Sequence, residues 1–152
     1  MAAPKLEELE FGDSWTGAEG TLDGKPILVR LRSEIEPLFA HPQLANLLRI
    51  VWEFPVDGDS GLPDVDTLDQ MSQCEDALVG ALELQNHAIL AHVLTCDGLR
   101  QWVFYTSDVE ESASRINEAL PQDPPYPIEL TVDSDPEWCE HRELRDNTLQ
   151  SE

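Results

Sequence analysis

Alternating apolar and polar residues near the amino terminus predict a β-hairpin. The segments Trp15–Glu19 and Pro26–Arg32 flank the turn-forming pair Asp23-Gly24. Every second residue of the later segment is apolar, which indicates a strand with one buried face. Lys25 and Pro26 beside the turn are typical of an element at a sheet edge.

Seven further elements follow from Leu47. Strands show alternation or, at Ala88–Cys96, apolar residues on both faces, and helices show apolar residues three or four apart. In chain order we predict a strand Leu47–Phe54, a helix Asp64–Leu84, strands Ala88–Cys96 and Arg100–Thr106, a helix from Ser107 or Asp108 to Leu120, a strand Ile128–Val132 and a short helix Pro136–Arg145. The apolar stripe predicted for the first helix is Val65, Leu68, Met71, Leu78 and Leu82.

This order of elements predicts an α+β fold. From Leu47 it reads β-α-β-β-α-β, which is the order of a ferredoxin-like split βαβ core with an antiparallel sheet and two helices on one face. The amino-terminal hairpin would extend that sheet or cover its open face, and a short helix would end the chain. We expect one domain at residues 14–145, a flexible acidic segment at 1–13 and a flexible tail at 146–152.

The charge balance limits the classes of partner. The chain has 31 acidic and 9 basic residues, a formal net charge of −22 and a pI near 4.2. Nucleic acids and anionic membranes would be repelled, because both are bound largely through Lys and Arg. A basic protein would be attracted. Charge that serves only solubility is the alternative interpretation.

Motifs for chemistry are missing or incomplete. The loop Asp57–Gly61 lacks the spacing of an EF-hand, and neither Cys139 with His141 nor His92 with Cys96 forms part of two spaced zinc ligand pairs. We find no nucleophile elbow and no phosphate-binding loop. The sequence therefore predicts no catalytic residues, no metal and no cofactor. The few scattered cysteines and the absence of an apolar leader favour a cytoplasmic protein with reduced thiols.

Acidic residues dominate the middle of the chain. From Val51 to Leu99 there are ten acidic residues and no Lys or Arg. The first predicted helix and the loop before it are thus the best candidate for a protein-contact surface, formed by Asp57, Asp59, Asp64, Asp66 and Asp69. The alternative is an ordinary solvated helix face.

Several short motifs occur together along most of the chain. They are Gly61-Leu62-Pro63, Cys74-Glu75-Asp76, Gly98 with Arg100 and Tyr105, Tyr126 with Ile128, and Asp135-Pro136-Glu137-Trp138. Between Trp15 and His141 the chain therefore resembles the DUF695 family, a bacterial domain of unknown function. That family is thought to be related to the ribonuclease E regulator B family of acidic inhibitors, which implies a ferredoxin-like core and regulation by protein contact. One departure is His141, where an aromatic residue is expected, so the segment around Trp138 is predicted to pack differently.

Three functional hypotheses follow. The leading one is a non-catalytic regulatory or protein-interaction module that presents its acidic surface to a basic partner. The second is an inhibitor or immunity protein against a toxin or nuclease, in which acidic residues imitate nucleic acid. The third is a small metal-dependent hydrolase, whose ligands the sequence does not reveal.

Overall fold

The described part of the chain has an α+β fold with a six-stranded antiparallel sheet and three helices. Its computed structural model describes residues 15–22, 24–32, 44–54, 64–83, 87–120 and 126–150. The elements are β1 (Trp15–Leu22), β2 (Lys25–Arg32), β3 (Asn46–Glu53), α1 (Val65–Leu82), β4 (Ala88–Cys96), β5 (Leu99–Thr106), α2 (Val109–Ala119), β6 (Ile128–Ser134) and α3 (Cys139–Gln150).

The strands lie in the order β1-β2-β4-β5-β3-β6, and every neighbouring pair is antiparallel. The amino-terminal hairpin extends the sheet, since β2 pairs with β4 from Ile27 opposite Cys96 to Leu31 opposite His92. The edge position indicated by Lys25 and Pro26 belongs to β1, whereas β2 lies inside the sheet between β1 and β4.

One face of the sheet, which we call the front face, carries the larger apolar core and is covered by α1 and α2. The strands contribute alternate residues, as the pleat of a β-strand requires. The buried members from β3, β4 and β5 pack against Met71, Cys74, Leu78 and Leu82 of α1 and against Ile116 of α2; they are Leu48, Ile50, Trp52, Ala88, Leu90, Val93, Trp102 and Phe104.

The opposite face, the back face, carries a smaller core. It is covered by Trp138, which lies just before α3. An irregularity in the β4–β5 pairing between Leu90 and His92 places His92 opposite Val103, so that its side chain lies on the back face. The remaining buried apolar residues of this cluster are Leu44, Leu47, Ile89, Ala91, Val103 and Tyr105.

The first predicted helix was only partly correct. Val65 and Leu68, predicted to be buried, are 80% and 41% exposed, and burial begins at Met71. The first turns of α1 therefore project beyond the core, and Cys74 joins the buried stripe in their place.

The last helix also differs from its predicted bounds. It begins at Cys139 instead of Pro136, because Pro136 and Glu137 form a turn and Trp138 has a positive φ of 58°. It reaches Gln150 and so continues past Arg145 into the segment predicted as a tail. The predicted flexible segment 1–13 lies outside the described residues. No described helix is both long and apolar enough to cross a bilayer.

Candidate functional site

Three of the five acidic residues predicted as a contact surface lie together at the start of α1. Asp64 precedes the helix, and Asp66 and Asp69 are exposed within its first turns. Asp57 and Asp59 lie outside the described residues, as do the motif residues Gly61, Leu62 and Pro63.

Asp64 begins the helix as its N-cap. Its Oδ1 accepts the backbone N–H of Thr67 at 2.7 Å, and this bond lowers the pKa of the Asp64 carboxyl. Asp64 and Asp66 both place negative charge beside the positive end of the helix dipole, which stabilises α1. The same charges that stabilise α1 thus also make its first turns acidic.

Two exposed apolar side chains lie among these carboxylates. Val65 is 80% exposed and Leu68 is 41% exposed. We define Asp64, Val65, Asp66, Leu68 and Asp69 as the contact surface. A surface of this composition can both attract a basic partner and bury apolar area against it.

A polar anchor beneath α1 fixes the orientation of the contact surface. Glu75, a motif residue on the inner side of the helix, accepts a hydrogen bond from Trp102 Nε1 at 2.9 Å and forms an ion pair with Arg30 of β2. Glu83 forms a second ion pair with Arg32 and accepts the backbone N–H of Leu90 at 2.9 Å. Glu75 is therefore a structural residue, whereas Asp76 beside it is exposed.

The anchor also explains why the outer face of α1 remains negative. Arg30 and Arg32 each lie 5.3 Å from the centre of the Trp15 ring, in cation–π geometry. Arg100, another motif residue, donates from Nε to Thr95 Oγ1 at 2.8 Å, and burial followed by the charge of Arg30 lowers its pKa. These three arginines lie against the sheet and leave the contact surface without a described basic neighbour.

The thiol of Cys74 is enclosed next to this anchor. Burial, followed by the neighbouring Glu75 charge, raises its pKa to about 12. A thiol with so high a pKa is a poor nucleophile at neutral pH, so Cys74 acts as a small core residue.

The Asp135-Pro136-Glu137-Trp138 motif forms a different unit on the back face. Trp138 stacks on Tyr105 with ring centres 4.0 Å apart, and its Nε1 donates to Leu44 O at 2.9 Å. The Tyr105 hydroxyl donates to Asp135 Oδ2 at 2.8 Å, and Asp135 also accepts the backbone N–H groups of Cys139 and Glu140. The motif thus starts α3 and seals the back face.

His141 fills the position at which an aromatic residue was expected. It is buried, lies edge-on to Trp138 and stacks on His92 with ring centres 5.1 Å apart. Their Nδ1 atoms are 2.9 Å apart, so one ring donates and the other accepts. Burial, then the proximity of His141, lowers the pKa of His92 to about 3; burial and Arg145 lower that of His141 to about 4.

No sequence pattern indicates this histidine pair, because its members are 49 residues apart and follow no shared periodicity. The two zinc pairs considered from sequence each contained one of these residues. In the structure the His92 and His141 rings are joined by a hydrogen bond, and Cys139 is exposed. No three His, Cys, Asp or Glu side chains converge as a metal site within the described parts of the chain.

A third polar group lies buried between the start of β4 and α2. His87 Nε2 is 2.8 Å from Ser112 Oγ, which is 2.8 Å from Thr106 Oγ1. The distance suits a base and a nucleophile, but Ser112 is completely buried and also donates to the backbone oxygen of Asp108 at 2.8 Å. Because solvent does not reach Ser112, this group acts in packing α2 onto the sheet.

A protein-family model covers the part of the chain in which these motifs lie. The model of the DUF695 family, described as a family of unknown function, matches residues 13–144. The chain belongs to the DUF695 family. No curated protein and no solved structure matches it. In this DUF695 chain the motif residue Glu75 belongs to the α1 anchor. Tyr105, Asp135 and Trp138 belong to the back-face unit, so these motif residues stabilise two different parts of the structure.

Proposed function

We propose that this DUF695 protein is a non-catalytic interaction module whose contact surface on α1 binds a basic partner protein. The observation that carries the proposal is the composition of that surface. Exposed carboxylates at Asp66 and Asp69 alternate with exposed apolar side chains at Val65 and Leu68. A partner could bury these two side chains while its cations approach the carboxylates.

The internal ion pairs support the same proposal. Glu75 and Glu83 point toward the sheet and are matched by Arg30 and Arg32 of β2. Asp66 and Asp69 have no such cation among the described residues. A partner that supplies Lys or Arg would therefore pair with these carboxylates, and its binding would weaken as the salt concentration rises.

The experiment compares two charge-neutralised variants. Asp66→Asn with Asp69→Asn removes two charges from the contact surface, while Glu110→Gln with Glu118→Gln removes two exposed charges from α2. Asp64 is kept because it caps α1. Wild type and both variants are used for affinity purification from cell lysate at low ionic strength, and the retained proteins are quantified by mass spectrometry.

We expect basic proteins that are retained by wild type and by the α2 control to be lost from the α1 variant. Two surface charges at about 0.7 kcal/mol each correspond to about tenfold weaker binding. Raising the salt should release the same proteins from wild type. Retention of an identical set by all three proteins would contradict the proposal.

A finer description of the fold belongs to the same proposal. We propose that β3, α1, β4, β5, α2 and β6 form a ferredoxin-like split βαβ unit, with the β1–β2 hairpin as an addition. The order β4-β5-β3-β6 and the shared front-face core of α1 and α2 support it. The relation to the ribonuclease E regulator B family, and with it a regulatory role, remains part of the proposal.

A further inference from the structure

Strand β6 forms one edge of the sheet and has features of a docking strand. It is seven residues long, and its only strand neighbour in the described structure is β3. Natural proteins usually protect such an edge, because its unpaired backbone groups can pair with another chain. From Glu129 to Ser134 the residues of β6 are exposed.

The register shows which backbone groups of β6 point away from β3. Asp135 donates its N–H to Ala45 O at 2.9 Å, which continues the antiparallel β3–β6 ladder. Backbone groups alternate in direction along a strand, so counting back from Asp135, the N–H and C=O groups of odd-numbered β6 residues point toward β3. Those of even-numbered residues point away from β3. The N–H of Ile128 is taken by Tyr126 O, so Leu130 and Val132 present the outward groups in the middle of the strand.

The side chains of those same residues are apolar and accessible. Leu130 and Val132 are 38% and 44% exposed and lie on the front-face side of the strand, opposite Ile50 and Leu48. A pair of large exposed apolar residues on a free edge is a surface that favours burial.

The other side of β6 is acidic. Glu129 and Asp133 are exposed there, and Asp133 Oδ2 forms an ion pair with Arg49 Nη1 at 3.1 Å. Glu129 and Glu53 also line a groove of about 360 Å³ at the same edge, together with Val51, Pro127 and Ile128. An added strand would thus meet apolar groups on one side and carboxylates on the other.

We propose that β6 accepts an extended segment of the basic partner as a seventh strand, in which apolar residues alternate with Lys or Arg. Apolar residues of the segment would pack on Leu130 and Val132, and its cations would approach Glu129 and Glu53. Backbone hydrogen bonds from Leu130 and Val132 would supply affinity independent of sequence. A second copy of the chain is disfavoured as the occupant, because each copy carries a net charge of −22.

This inference rests on the proposed function, and its test separates the two. The probe is a synthetic eight-residue peptide of alternating lysine and valine, and its control has the same residues in two blocks. Binding at low ionic strength is followed by fluorescence anisotropy, and backbone amide exchange is followed by NMR. We expect the alternating peptide to bind more tightly and to slow exchange at Leu130 and Val132.

Two variants of the protein complete the test. Val132→Pro removes an outward N–H that β3 does not use, and proline is accepted at such edge positions. We expect its Kd for the alternating peptide to rise about tenfold, whereas Val132→Ala, which keeps the N–H, should lose less. Glu129→Lys leaves the backbone intact and should also weaken binding, while Glu118→Lys on α2 should weaken it less.

The outcomes are distinct. Equal binding of both peptides with unchanged exchange at Leu130 and Val132 overturns strand addition and leaves the contact surface of α1 in place. Failure of both peptides to bind wild type at low ionic strength contradicts the basic-partner proposal as well. Concentration-dependent dimerisation that protects the same two amides, in the absence of peptide, would make a second copy the occupant and overturn the inference.

Discussion

The two faces of the sheet are closed by different kinds of interaction. On the front face, two helices bury a continuous apolar core, and ion pairs such as Arg32 with Glu83 lie at its margin. On the back face, the described cover consists of Trp138, the stacked histidine pair and the carboxylate of Asp135. The front face thus depends on many interchangeable contacts, and the back face depends on a few specific ones.

The two faces should differ in how much stability a single substitution removes. A helix that packs through four buried residues loses only part of its contact when one of them is trimmed. The back-face unit has no such reserve, because Trp138, Tyr105 and Asp135 are joined in one chain of contacts. Single substitutions on the back face should therefore have the larger effects.

The largest effect is expected for Trp138→Ala. It removes a fully buried ring, its stack on Tyr105 and the hydrogen bond to Leu44 O, so the free energy of unfolding should fall by about 3–5 kcal/mol. Trp138→Phe keeps a ring and should cost less. Chemical denaturation measures the free energy of unfolding of both variants. If Trp138→Ala lowers it by less than Ile116→Ala in α2 does, the back face is not the more sensitive of the two.

Acid should destabilise the back face next. Burial, then the neighbouring histidine for His92 and Arg145 for His141, lowers both pKa values in the folded state, so the unfolded chain binds protons more readily below its ordinary pKa of 6.5. The stability from the neutral pair is fully present above pH 6.5 and is lost as the pH falls toward about 4 for His141 and about 3 for His92. Each histidine contributes up to about 1.4 kcal/mol per pH unit in that window.

The variant His141→Phe isolates this contribution. It places the expected aromatic residue in the stack and removes one titrating group. Between pH 7 and pH 5 the free energy of unfolding should fall less steeply than in wild type, by about one proton's worth. An unchanged slope would show that the pair does not control the acid response and that other groups, such as the buried His87, do.

The smallest effect is expected at the front-face anchor. Glu75→Ala leaves Trp102 Nε1 without its acceptor and Arg30 without its partner, at a cost of about 2 kcal/mol, reduced because Arg30 is partly exposed. Asp76→Ala is the matched control on the exposed side of α1 and should change stability by less than about 0.5 kcal/mol. Thermal denaturation of both variants would reveal whether the anchor matters beyond its charge.

Periodicity explains how much of this fold was predictable. The stripe from Met71 to Leu82 and the strands β3, β4 and β5 follow from the spacing of apolar residues. The aromatic residues Trp52, Trp102 and Phe104 of these strands are buried. The same rule failed at Val65 and Leu68, because spacing identifies an apolar stripe but not how far the sheet extends beneath it.

The back-face unit could not be derived in the same way. The positive φ of Trp138 and the pairing of His92 with His141 depend on residues far apart in sequence, and no local pattern records them. The motif Asp135-Pro136-Glu137-Trp138 marked the segment as important, but its role in starting α3 one turn later required the hydrogen bonds of Asp135.

Zero-length carbodiimide crosslinking to the captured partner would show which carboxylates of the chain lie against the partner's lysines. This reagent joins carboxylates to lysine amines, and the chain itself contains lysine only at positions 5 and 25, so a crosslink to the partner uses its carboxylates and the partner's lysines almost exclusively. We expect crosslinks at Asp66 and Asp69 that disappear at high salt. Crosslinks that are concentrated at Glu110 and Glu118 of α2, with Asp66 and Asp69 unmodified, would contradict it.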